Sequence, residues 1–235
     1  MVTNSEKALF FDTGPIITLI ISRLGWIIPK LKEQFGGHFY ITPAVKYELT
    51  TRPLNIHRFE FEAIQVLKMI REGIFEVYEN VPQSKVSQLK SLANSTFKIG
   101  KKNMDVIQAG ELEAVASALQ MGAEGVVMDE RTLRLFIENG GGMEELLEHR
   151  FHQDVKVNTD KMHRFVEQLQ GIKIIRSIEL VTVAYKMGLF EDYIPPGKGG
   201  KNLFLDSVLW ETKHNGCAVT EGEITELKKL LMESS

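Results

Sequence analysis

Three short apolar runs, each leading into a stretch of helical periodicity, restrict this chain more than any other feature. Residues 8–11, 38–42 and 125–128 are rich in aliphatic, aromatic and β-branched side chains. A run that is apolar on both faces suits a strand covered on both sides, and strands alternating with helices build parallel sheets. A fourth strand is expected at 172–175, then a helix over 178–187 stopped by Gly188. Further helices are expected over 111–121, 206–214 and 221–232, and loops at 80–84, 139–142 and 193–201, where Gly and Pro gather. The fold class is therefore α/β: a Rossmann-like α/β/α sandwich with a parallel central sheet and additional helical segments.

Two stretches exceed such a minimal unit. Residues 52–104 include an amphipathic helix at 59–71, with Phe59, Ala63, Val66, Leu67 and Ile70 in phase, and 141–171 is charged and helical in composition. With a helical tail at 203–235, both read as elaborations of a single domain spanning 1–235.

The run from Ala8 to Ile28 is interrupted by Asp12, Gly14, Pro15, Ser22, Arg23 and Gly25, well short of the roughly 20 apolar residues a membrane span needs. Its opening, MVTNSEK, mixes charge signs and is followed by no small-residue cleavage motif, so neither anchor nor leader is expected. Cys217 is the single cysteine, which excludes an internal disulfide and a cysteine-built zinc site and suits a reducing, cytoplasmic setting. Net charge is −3, with 28 Lys and Arg against 31 Asp and Glu, so any nucleic-acid contact has to come from local cations and bound metal.

Four acids carry the chemistry. Asp12 and Asp129 each follow an apolar strand, and in open parallel sheets ligands gather beyond the carboxyl ends of strands, near the switch in strand order. Glu48 lies in TPAVKYEL, a short helix entered through Pro43, and Glu111 opens a long helix. At about 100° per residue, Leu112, Val115, Ala116 and Leu119 form the core stripe and Glu111 flanks it near Ala118 and Gly122. Glu113 points about 200° away, beside Ser117 and Gln120, toward water.

Carboxylates crowded together repel: a pair 4 Å apart costs on the order of 4 kcal/mol at an effective dielectric near 20. Such a cluster stays ionised only around cations, and oxygen-only ligands favour hard Mg²⁺ or Mn²⁺. The residues taken singly have plainer uses. Asp12 can form an Asx turn, Glu111 can favour a helix dipole, and Glu48 can face solvent.

The strand with DTGPIITL, then ITPAVKYEL, then GELEAVASALQMGAEGVVMDERTLR, resembles the successive motifs of PIN-domain nucleases in order and spacing. SIELVTVAYKMGLF and FLDSVLWETKHNGCAVTEGEITEL are similar to the tail of an uncharacterised prokaryotic PIN subgroup. The resemblance implies an endoribonuclease dependent on Mg²⁺ or Mn²⁺, with Asp12, Glu48, Glu111 and Asp129 as metal-binding catalytic acids and Thr13 as an orienting hydroxyl. Glu111 stands where many relatives have Asp, which lengthens the ligand arm. RNA is the implied substrate, and a homodimer or an antitoxin partner is compatible with it. The competing readings are a non-catalytic PIN-like module binding RNA or protein, and the toxin of a toxin–antitoxin pair.

Arg131 and Arg134, just past Asp129, are the first candidates for phosphate contacts, with Lys98, Lys101 and Lys102 behind them. GKGGK at 197–201 lacks the Ser or Thr of a phosphate-binding loop and reads as a flexible turn. His149 and His152, with Glu148, read as a charged helix face rather than a zinc site. A haloacid-dehalogenase-type phosphotransferase also starts with a strand-end Asp, but needs a second Asp where this chain has Gly14.

Overall fold

The computed structural model describes residues 7–138 and 142–233. Strand β1 (Ala8–Phe11) is followed by helices α1 (Thr13–Ile21) and α2 (Ile27–Phe35), then β2 (His38–Ile41), α3 (Pro43–Lys46), α4 (Glu60–Arg71), β3 (Glu76–Val77) and α5 (Gln83–Asn94). A hairpin, β4 (Phe97–Ile99) and β5 (Lys102–Asn103), precedes α6 (Ala109–Met121), β6 (Gly125–Val127), α7 (Arg131–Glu138) and α8 (Gly142–Phe151). The chain continues through β7 (Val155–Val157), α9 (Thr159–Gln168), β8 (Ile174–Ile175), α10 (Ser177–Lys186), α11 (Gly200–His214) and α12 (Glu221–Glu233).

Five strands form the central sheet in the order β3-β2-β1-β6-β8, every pair parallel. The chain builds outward from β1 to one edge, then returns to the other side of β1 to place β6 and β8. That reversal opens a crevice at the carboxyl ends of β1 and β6, where helices diverge to opposite faces.

Strand alternation splits the core in two. Leu9 and Phe11 of β1, Phe39 and Ile41 of β2 and Val127 of β6 pack toward α1, α2, α4, α10 and α11. Phe10, Val126 and Met128 point the other way, toward α5, α6, α7 and α9. The result is the expected α/β/α sandwich. Phe10, Phe11 and Phe39 are essentially fully buried, and each contributes roughly 1.5–3 kcal/mol over an exposed position.

Local sequence explains the element boundaries. Thr42 caps α3, its hydroxyl accepting from Val45 N at 3.4 Å, and Pro43 takes the first helical position, where no N–H is needed. Gly36 ends α2 in the left-handed region at φ 66°, which a side chain rarely adopts. Gly125 serves a different need, because a Cβ there would stand 2.6 Å from the Lys173 carbonyl on the neighbouring backbone. Gly125→Ala should therefore push β8 off β6 at a cost of roughly 2 kcal/mol and lower Tm by about 5 °C. An unchanged thermal melt would show that this edge strand yields freely.

The structure adjusts several expectations. The fourth strand is confined to Ile174–Ile175, and α11 starts at Gly200, which shortens the expected loop at 193–201. Of the loop expected at 139–142, residues 139–141 lie outside the described residues. The hairpin β4–β5 and β7 form a separate antiparallel sheet ordered β5-β4-β7. Two or three residues of Phe-Lys-Ile, Lys-Asn or Val-Lys-Val are too short for alternation to register. Ser117, expected at the wet face of α6, is fully buried because α5 packs against that side. Leu119, expected in the core stripe, is only partly buried. Among the described residues no helix is long and apolar enough to cross a membrane.

Candidate active site

Asp12 and Asp129 stand on either side of the crevice. Asp12 has extended backbone (φ −80°, ψ 167°) and caps α1, its Oδ2 accepting from Gly14 N at 3.4 Å. Its own N–H donates to the Val127 carbonyl at 2.9 Å, which ties the end of β1 to the end of β6. Asp129 follows two residues later and is 3% exposed. Its Oδ1 accepts from both Ser177 N (2.7 Å) and Ser177 Oγ (2.9 Å), fixing the start of α10. Its Oδ2 is buried without a hydrogen-bond partner.

The two glutamates arrive from opposite layers. Glu48 sits in a wide turn, Tyr47–Thr51, that continues α3, and its Oε2 accepts from Thr13 Oγ1 at 2.8 Å. Glu111 is the third residue of α6; its Oε2 accepts from Gln108 N at 3.0 Å, closing the helix start as a capping-box glutamate does. A Cβ on Gly110 would lie 3.6 Å from Glu48 Oε1, so the beginning of α6 and the Glu48 turn adjoin. A Cβ on Gly14 would come within 3.5 Å of Asp129 Cβ and 3.6 Å of Asp12 Oδ2, filling the gap between the aspartates.

Asp12, Thr13, Glu48, Glu111 and Asp129 all line one cleft of about 450 Å³. Positions separated by more than a hundred residues in the chain thus meet at one sheet end. Among the described residues, no group of three or more His, Cys, Asp or Glu is placed so that it could hold a metal ion as the side chains stand. His149 and His152 belong to no such group either.

Crowding shows in the acidities. Burial, with the charges of Glu130, Asp12 and Glu48, pushes Glu111 up to about 8, against the opposing hydrogen bond from Gln108. Burial raises Asp12 to about 6; the amides of Thr13 and Gly14 hold it down and the charges of Glu48 and Asp129 add to the rise. Cys217 lies beside Asp129, and burial together with that charge drives its thiol up to about 12, leaving it protonated and inert at neutral pH.

Of the five cations considered for phosphate contact, Arg131 lines the cleft and is exposed. Arg134 requires a correction. Its Nη1 is 3.2 Å from Glu223 Oε1, Nη2 donates to the Ala218 carbonyl at 3.4 Å, and the side chain is 14% exposed. It belongs to an internal network in which Arg176 also binds Glu223 (2.7 Å) and Glu179 (2.5 Å). Burial works against the Glu223 charge, but the Thr220 amide and Arg176 hold its carboxyl down to about 2. Lys98, Lys101 and Lys102 lie in or beside the β4–β5 hairpin of the second sheet and are not part of the cleft wall.

Two neighbours of these acids escaped sequence reasoning. Glu130 lines the cleft, and its Oε1 and Oε2 accept from Thr132 Oγ1 (2.5 Å) and Leu133 N (3.0 Å) at the start of α7. An acid immediately before a helix beginning at Arg131 is the signal that could have found it. Ser177 positions Asp129, and its signal is a serine at the first turn after a strand. No family model, curated protein or solved structure matches the chain.

Proposed function

We propose that this chain is a divalent-cation-dependent endoribonuclease of the PIN type, hydrolysing RNA phosphodiesters in the cleft between β1 and β6. The observation that carries the reading is the convergence of Asp12, Glu48, Glu111 and Asp129 on one open cleft at the switch in strand order.

The residues present suit Mg²⁺ or Mn²⁺. Every donor is an oxygen, Asp129 Oδ2 is buried without a partner, and the Gly14 gap keeps space between the two aspartates. Such ions usually take one or two carboxylates and fill the remaining positions with water and substrate phosphate. Asp12 and Asp129, flanked by Glu48 and Glu111, would hold such a cation, which would supply Lewis-acid activation of water and phosphodiester. Thr13 orients Glu48 through its hydroxyl, Ser177 orients Asp129, and Arg131 faces the incoming backbone. Because the chain's overall charge is negative, affinity for RNA rests on these local cations.

One observation favours a second reading, a non-catalytic RNA- or protein-binding module: Glu48, Glu111 and Asp129 each already accept a hydrogen bond inside the protein. Mn²⁺ titration by calorimetry separates the two. The nuclease should bind Mn²⁺ at pH 7 with release of a proton, chiefly from Glu111, visible as a heat that changes with buffer ionisation enthalpy. Purified protein should then cleave single-stranded RNA only with the ion present. Binding that releases no proton, or no cleavage at saturating Mn²⁺, would favour the module. Glu113→Gln, on a partly exposed residue outside the cleft, should leave cleavage within about threefold of wild type.

A further inference from the structure

Between α11 and α12, residues 215–220 have neither helix nor strand to hold their peptides, yet Gly216 and Ala218 form part of the cleft wall. Two arginines and a glutamate hold this stretch instead. The Ala218 N–H donates to the Asp129 carbonyl at 3.2 Å, and the Ala218 carbonyl accepts from Arg176 Nη1 (3.2 Å) and Arg134 Nη2 (3.4 Å). Both guanidiniums converge on Glu223 Oε1, while Glu223 Oε2 accepts from Thr220 N (2.8 Å) and Thr220 Oγ1 (2.9 Å) at the start of α12. Arg176 also directly precedes Ser177, whose amide and hydroxyl hold the Asp129 carboxylate. Asp129 is therefore gripped at its backbone by a peptide bound to Arg176, and at its side chain by the residue next to Arg176.

We propose that Arg134, Arg176 and Glu223 are positioning residues for the cleft: by fixing the Ala218 peptide they fix where Asp129 stands, and so couple the docking of α12 to the affinity of the cleft for a divalent cation. The coupling rests on the ribonuclease reading, which supplies the cation. A buried ion pair adds little stability over apolar side chains of similar volume, and these two arginine side chains are only 14% and 11% exposed. What they contribute is direction. A guanidinium presents its donors in a rigid fork, so two of them meeting on one carboxylate and one carbonyl leave the peptide between them little freedom. Groups that orient a metal ligand from behind change metal affinity by roughly ten- to a hundredfold when they are lost.

Glu223→Gln tests this while sparing the start of α12, because glutamine also serves at the third position of a capping box. Calorimetry on the full chain should show Mn²⁺ binding weakened roughly tenfold or more. Affinity is read on folded protein, so a loss of stability alone does not move it. The single thiol gives a second readout, free of metal. Cys217 is 3% exposed within the clamped stretch, and in EDTA its reaction with N-ethylmaleimide should run about tenfold faster in the variant. Asp206→Asn is the control: Asp206 of α11 pairs with Lys228 of α12 at 2.6 Å, so its loss loosens the same helix without touching the Ala218 peptide. Both readouts should there stay within about twofold of wild type. Arg176→Lys separates position from charge, since it keeps the charge but replaces the fork with a point; it should move both readouts in the same direction as Glu223→Gln, and it decides the matter if that variant fails to give a cooperative melt. Unchanged Mn²⁺ affinity in Glu223→Gln, an equal loss in Asp206→Asn, or wild-type behaviour of Arg176→Lys overturns the coupling and leaves the nuclease standing. A wild-type protein that binds no Mn²⁺ overturns the coupling and the cation reading together.

Discussion

Asp12→Asn and Asp129→Asn, each purified and assayed with RNA and Mn²⁺, should lose cleavage by about a thousandfold or more, equivalent to roughly 4 kcal/mol of transition-state stabilisation. The loss should be specific because both substitutions preserve the local scaffold. Asparagine caps helices as well as aspartate does, so the bond from Gly14 N survives at position 12. At position 129 the amide oxygen still accepts from Ser177 N and Oγ, and only the buried, unpartnered Oδ2 becomes an amide nitrogen. What changes is charge and the ability to hold a hard cation. Mn²⁺ affinity should fall in parallel, and far-ultraviolet circular dichroism should match wild type. Retained cleavage in either variant would remove that residue from the catalytic set.

Glu111→Gln should abolish cleavage and at the same time stabilise the cation-free protein above neutral pH. In the folded chain Glu111 titrates near 8 against an ordinary value of 4.5, and Asp12 near 6 against 3.8. Between those limits the folded state holds protons that the unfolded chain has released, so stability is full below about pH 4 and declines as pH rises to about 8. Glutamine keeps the acceptor for Gln108 N and removes the charge, so the decline should shrink by on the order of 3 kcal/mol at pH 8.5. In wild type, saturating Mn²⁺ should restore much of the same stability by replacing the protons with a cation. If denaturant midpoints of wild type and variant run parallel from pH 5 to 8.5, the carboxylates do not repel as the cleft geometry requires.

Much of the fold is legible locally. Residues 8–11, 38–41 and 125–127 are strands because apolar runs of three or four residues between turn residues suit little else, and α6, α10 and α12 follow from their periodicity and caps. The amphipathic segment before Arg71 is a helix, yet Met69 lies in the core while Phe59 and Leu67 remain at least 36% exposed. Periodicity marks which residues share a face but does not reveal what that face meets. Ser117 illustrates the same limit, since only the docking of α5 decides that both sides of α6 are covered.

Asp12, Asp129 and Glu111 were readable because each follows a strand or sits in the first turn of a helix, and Glu48 because it lies just past the short helix that follows β2, positions at which parallel sheets present groups to ligands. Their acidities were not, because burial and mutual repulsion depend on distances the chain acquires only when folded. Arg134 lies five residues after Asp129 and suggests a phosphate ligand, but Glu223, 89 positions further on, engages it inside the protein. Ser177 owes its place beside Asp129 to the pairing of β6 with β8, again a distant contact. The sequence by itself determined which segments are strands and helices and which acids end them, since those rest on interactions within a few residues. Tertiary structure alone decided the strand order and the partners of each charge, since these depend on segments that meet only after the sheet has closed around them.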